Sequence, residues 1–126
     1  MSQAPCPFCE LPRERIFLES EKTLAFFDAY PVTEGHALVI PKQHVQSIFE
    51  LAPEDLAMLW LQVEAVRELL SERFRCDAFN IGVNDGEAAG QTVSHGHIHV
   101  IPRRAGDVID PRGGVRWVIP DNAKYW

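Results

Sequence analysis

His95, His97 and His99 stand at alternate positions in a segment, Gln91 to Arg103, that reads as a β-strand. Successive side chains of a strand point to opposite faces, so the three imidazoles share one face, roughly 6.5 to 7 Å apart. Gly96, Ile98 and Val100, between and after them, then turn inward and the histidines look out into a site. Imidazole is the side chain best suited to proton transfer, nucleophilic attack and metal ligation near neutral pH. Thr, Lys or Glu would serve an ordinary solvent-facing strand. The chain has five histidines, and three fall within five residues. Two chemistries fit the row. Alternate histidines on a strand hold a zinc ion. Alternatively, one imidazole attacks phosphorus while its neighbours bind phosphate oxygens and protonate the leaving group.

A second reactive cluster is Cys6-Pro7-Phe8-Cys9. Cysteines at this spacing supply half of a tetrahedral zinc site or form a redox pair, and the pair alone does not choose between them. Cys76 is the third cysteine, and the odd count argues against a disulfide framework. The N-terminus lacks the basic and apolar regions of a secretory signal, which makes the cytoplasm the expected compartment. No run approaches the roughly 18 to 20 apolar residues that span a bilayer, so a membrane partner is not expected.

Length and composition limit what must position these groups. The 126 residues, 46% hydrophobic and 24% charged, suit one soluble domain spanning 1–126. A net charge of −6 disfavours nucleic acid as a partner. The charge is uneven: residues 1–101 carry −8 and residues 102–126 carry +2, compatible with a small anionic ligand near the C-terminal segment. Thr23 to Phe27, His36 to Ile40 and Ala78 to Val83 read as strands bounded by turn residues. Pro53, Glu54 and Asp55 open a helix over about 53–74, with Leu56, Leu59, Trp60, Val63, Val66, Leu70 and Phe74 at three- and four-residue spacing. Val115 to Ile119 is a candidate for a further strand. One long helix among antiparallel strands predicts an α+β fold, a meander sheet of about five strands with the helix on one face.

The histidine segment resembles the signature of the histidine triad (HIT) superfamily, His-x-His-x-His followed by apolar residues. The likeness runs through Asn84 to Val93, Pro102-Arg103, Phe26-Phe27-Asp28 and Gly35 to Lys42, most of the chain. Gly96 stands where the family usually has a bulky apolar residue. The resemblance implies a HIT-like fold with short helices beside the long one, and a nucleotide hydrolase. It would release a nucleoside monophosphate from a dinucleoside polyphosphate or a related anhydride or phosphoramidate. His97 is then the nucleophile that carries a nucleotidyl intermediate, and His99 assists the leaving group. His36 matches the additional histidine at the mouth of the site. Asn84, Gln91 and Thr92 match donors to phosphate and leaving-group oxygens, and Asp28 an acceptor from the ribose hydroxyls. Phe8 and Phe26 match walls of a purine pocket. Some branches of the family complete a zinc site with a histidine after the Pro-Lys turn and the first triad histidine, here His44 and His95, beside Cys6 and Cys9. Residues 1–12 are then a zinc-binding segment, no organic cofactor is implied, and residues 103–126 form a tail near the site. The family also implies a homodimer. The rivals are a nucleotide-binding protein without turnover and a hydrolase whose triad itself holds a metal.

Overall fold

Pro53, with Glu54 and Asp55 in the first turn, starts the single long helix of the computed structural model, which describes residues 5–126. The helix, α1 (Pro53–Arg73), ends where Phe74 turns extended and its N–H closes on the Leu70 carbonyl. Leu59, Val63, Val66 and Leu70 form its buried stripe, packed on a five-stranded antiparallel sheet. The strands are β1 (Ile16–Glu19), β2 (Thr23–Phe27), β3 (Ala37–Pro41), β4 (Ala78–Val83) and β5 (Ile98–Arg103). Trp60 departs from the expected core: it is 41% exposed, and Gln62 is buried instead. At about 100° per residue, position 62 lies beside the Leu59–Val63–Val66 stripe, whereas position 60 is rotated off it.

The first three strands form a meander, and the helix then carries the chain to the far edge. The order is β1-β2-β3-β5-β4, so β5 returns between β3 and β4. Leu38 pairs with His99, and Gly82 pairs with His99 from the other side. His99 is therefore fixed by hydrogen-bonded backbone on both flanks. The sheet's two faces have separate cores. Ala25, Ala37, Val39, Ile98 and Val100 face the helix, while Phe26, Leu38 and Ile40 face the other way, beneath Phe8, Leu11 and Leu24.

Two segments differ from the sequence expectation. The histidine strand is regular only from Ile98, because β3 ends at Pro41 and its pairing with β5 stops at Val39↔Ile98. Residues before it are held by the loop after β3 instead: Gly96 N–H donates to the Val45 carbonyl at 2.7 Å. Val115 to Ile119 is not a strand. Gly114–Val118 forms a 3-10 turn, and Trp117 donates its indole N–H to the Arg112 carbonyl within the tail.

Gly96 is small because Ile48 occupies the space above it. A Cβ at position 96 would lie 2.8 Å from Ile48 Cγ2 and 2.9 Å from the Ile48 backbone nitrogen. Overpacking of this kind costs about 1 to 3 kcal/mol. Gly96→Ala should lower the urea midpoint accordingly without changing the m-value, and wild-type stability in that variant would refute the contact.

Candidate active site

The three triad histidines are close in space but serve different partners. His95 is buried, and its Nε2 lies 2.8 Å from the Pro41 carbonyl. A carbonyl only accepts, so Nε2 carries the proton and Nδ1 keeps its lone pair. That Nδ1 lies 3.4 Å from Cys6 Sγ and 3.5 Å from Cys9 Sγ. His44 Nδ1 is 3.3 Å from Cys9 Sγ, and all four ligand atoms lie within 4.8 Å of one another. The Cys9 backbone N–H also points at Cys6 Sγ at 3.3 Å. Loss of hydration pushes the Cys9 thiol up to about 11, and the adjacent Cys6 sulfur adds to the shift. Two thiolates this close need a cation between them.

His97 is the next ring along and is 7% exposed. Its Nδ1 lies 2.8 Å from the His95 carbonyl, so Nδ1 carries the proton and the Nε2 lone pair is left free. Phe8 meets this ring nearly perpendicularly, with centroids 5.2 Å apart, and meets Phe26 at the same separation. Phe26 is 1% exposed, the floor beneath Phe8 rather than an open wall.

His99 belongs to a relay. The Val32 N–H donates to His36 Nδ1 at 3.1 Å, which leaves the proton of His36 on Nε2. That Nε2–H donates to His99 Nδ1 at 2.9 Å, so His99 presents an N–H at Nε2. Asp28 flanks the relay, its Oδ2 3.5 Å from His36 Nε2 and its Oδ1 accepting from the Tyr30 N–H. The turn between β2 and β3 builds this geometry: Asp28 N–H bonds the His36 carbonyl and His36 N–H bonds that of Thr33. Asp28, His36 and His99 are also close enough to be read as a cation site. The Val32 donor and the His–His hydrogen bond account for their approach without one. His95, His97 and His99 form no converging ligand set among the described residues, against the reading of a triad-bound metal.

Two further expectations change. Gln91 spends its carboxamide on its own loop: Oε1 accepts from Gly86 N–H, and Nε2 donates to the carbonyls of Gln46 and Val93. It is a clasp for the segment rather than a free donor. Thr92 and Asn84 are exposed. The excess of arginines in the tail, read as compatible with an anionic ligand, is committed internally. Arg103 pairs with Asp107, Arg112 with Asp110, and Arg104 and Arg116 with backbone carbonyls. Composition carried no sign of this pairing, nor of the Val32 backbone donor. A cleft of about 840 Å³ opens beside His99, His36 and Asn84, and residues 107–118 of the tail form its far wall.

The family model described as the HIT domain matches residues 11–106. The bis(5'-nucleosyl)-tetraphosphatase [asymmetrical] of Schizosaccharomyces pombe is 39% identical over 93 residues, 74% of this chain and 51% of that protein. The bis(5'-adenosyl)-triphosphatase of Dictyostelium discoideum is 38% identical over 95 residues, 75% of this chain and 64% of that one. The chain thus spans about half to two thirds of these relatives. A Zn-bound histidine triad family protein from Mycobacterium smegmatis superposes with a TM-score of 0.75 at 38% identity, covering 83% of this chain and 79% of that one.

The neutral relay links stability to pH. Burial, then the neighbouring His97 and His36, pushes His99 down from 6.5 to about 4; burial also lowers His36, with Asp28 opposing. Between these values the unfolded chain binds more protons, so stability falls as pH drops from about 6.5 to 4. Calorimetric melting temperatures should decline through that window, and His99→Gln should flatten the decline. Parallel pH profiles for the two proteins would contradict the assignment.

Proposed function

The chain belongs to the HIT family, and from that membership we propose that it hydrolyses nucleotides through a nucleotidyl-His97 intermediate. The observation that carries the reading is the hydrogen bond from His97 Nδ1–H to the His95 carbonyl, which leaves Nε2 unprotonated and available to attack phosphorus. Relatives named as a tetraphosphatase and a triphosphatase, of dinucleosides and of adenosyl groups, support the class of reaction. In the first step Nε2 of His97 bonds to the α-phosphorus. The bond to the leaving group breaks with its electron pair, and His99 Nε2–H supplies the proton. In the second step water attacks phosphorus, returns a proton to His99 and releases the nucleoside monophosphate. His36 acts through His99 by fixing its tautomer. Asn84 and Thr92 donate to phosphate oxygens, Asp28 accepts from the ribose, and a purine base lies against Phe8 with Phe26 behind it.

The Cys6, Cys9, His44 and His95 set supports zinc. Two sulfurs and two imidazole nitrogens, both free of protons once the partners of His95 are counted, suit a closed tetrahedral site. Zinc there would tie residues 6–9 to the sheet and leave no open position for chemistry. With His95 serving the metal, the triad contributes two imidazoles to substrate. We expect a homodimer, with the exposed edge of β4 and the exposed Trp60 and Leu61 on α1 as its natural surfaces, and a cytoplasmic location. Among the described residues no helix is long and apolar enough to cross a membrane.

Intact-mass analysis after brief mixing with a dinucleoside polyphosphate or nucleoside phosphoramidate should reveal a nucleotidyl adduct, absent in His97→Ala. That variant should lose several orders of magnitude in kcat, as removal of a covalent nucleophile does. Retention of a tenth of the wild-type rate would sink the mechanism.

Metal analysis of untagged protein should find one zinc per chain. Cys6→Ser with Cys9→Ser should lose it and lower the melting temperature, because such a metal contributes directly to folding free energy. The adduct on His97 should still form at moderate temperature. Zinc retained in the double variant would place the metal elsewhere.

A further inference from the structure

The cleft beside His99 has walls whose character goes beyond what the attack on phosphorus requires. Its volume of about 840 Å³ is that of a small-molecule site. Ile101 of β5 lies on one side, with Val32 near the relay, and Val115, Trp117 and Val118 of the tail lie opposite. The bond from the Trp117 indole N–H to the Arg112 carbonyl, 2.8 Å, holds that ring as a fixed flat surface.

The charged groups on these walls are already matched. Arg103 makes two bonds of 2.8 Å to the Asp107 carboxylate and one of 2.6 Å to Asn80 Oδ1. This contact holds the Asp107 carboxyl well below the usual carboxylate range. Asp110 is paired with Arg112 at 3.0 Å. Among the described residues lining the cleft, no cation is left without an anion. A phosphate chain placed here would exchange its hydration for apolar side chains and satisfied ion pairs, which is unfavourable.

We propose that this cleft seats the substrate's leaving group and selects an uncharged, largely apolar alcohol or amine over a further phosphate chain. The proposal rests on His97 as nucleophile and names the other half of the molecule it attacks. The bond that breaks joins the α-phosphorus to the oxygen or nitrogen of that group. This atom keeps the electron pair and takes the proton from His99 Nε2–H, which borders the cleft. Water completes the cycle, so no further reactant is needed.

The test compares two substrates sharing one nucleotidyl group, an aromatic-amine phosphoramidate and a dinucleoside polyphosphate, on the full chain. The phosphoramidate should have the higher kcat/KM by at least about tenfold. Val115 and Val118 are 67% and 77% exposed, so both accept a lysine at the rim of the cleft. Val115→Lys with Val118→Lys should move the ratio toward the polyphosphate by about tenfold or more, with the melting temperature confirming that the variant folds. Val118→Lys alone, measured the same way, replaces the pair should the double change fail to fold. A wild-type preference for the polyphosphate, or a ratio unmoved by the lysines, overturns the cleft proposal and leaves the nucleophile standing. Absence of an adduct on His97 with both substrates removes the nucleophile, and the cleft proposal with it.

Discussion

Much of this molecule depends on one residue that is held from three directions. His95 gives its Nε2–H to the Pro41 carbonyl, turns Nδ1 toward two sulfurs, and offers its own carbonyl to His97. The first contact anchors it to the end of β3, the second recruits the N-terminal segment, and the third sets the protonation of the nucleophile. A carbonyl so placed stays an acceptor, and the imidazole opposite it has one low-energy tautomer. Folding and reactivity therefore meet at a single peptide unit.

The second imidazole pair follows the same logic with a different anchor. His36 takes a proton from a backbone N–H, which a side chain alone could not guarantee, and passes its own donor to His99. Burial keeps both rings neutral, with Asp28 near enough to offset part of that effect. The cost is a group of polar rings packed beside apolar side chains, tolerable because each nitrogen that needs a partner has one. Desolvation also strengthens each of these hydrogen bonds relative to water.

The sequence made some of this legible and concealed the rest. Alternation at His95, His97 and His99 located the site, and the three- and four-residue spacing from Leu56 to Phe74 located the helix within a residue. β4 was bounded correctly because Ala78 to Val83 is flanked by turn residues. The division of labour within the triad is invisible to spacing, since it depends on which carbonyl or sulfur each nitrogen meets. Gln91 misled for a related reason: a carboxamide is an equally good donor to phosphate or to its own loop, and only the loop's path decides. β1 lies in a short stretch, Ile16 to Glu19, without alternation to mark it. In the tail, Val115 to Ile119 had the β-branched content of a strand but no partner edge to pair with, and it coiled into a 3-10 turn.

The far wall of the cleft begins where the family resemblance stops. The matched domain ends at residue 106, whereas Val108, Val115, Trp117 and Val118 come after it. Reaction and choice of substrate are thus written in separate stretches of chain. The catalytic stretch is constrained by a web of mutually dependent hydrogen bonds and drifts slowly. The tail rests on its own arginine–aromatic contacts, Arg112 over Trp126 and Arg116 over Tyr125, and so holds its shape with little help from the sheet. Evolution can rewrite one without disturbing the other. Proteins that share the first stretch closely are therefore free to divide a cell's nucleotide conjugates among themselves, and kinship measured over the domain says little about which share each one takes.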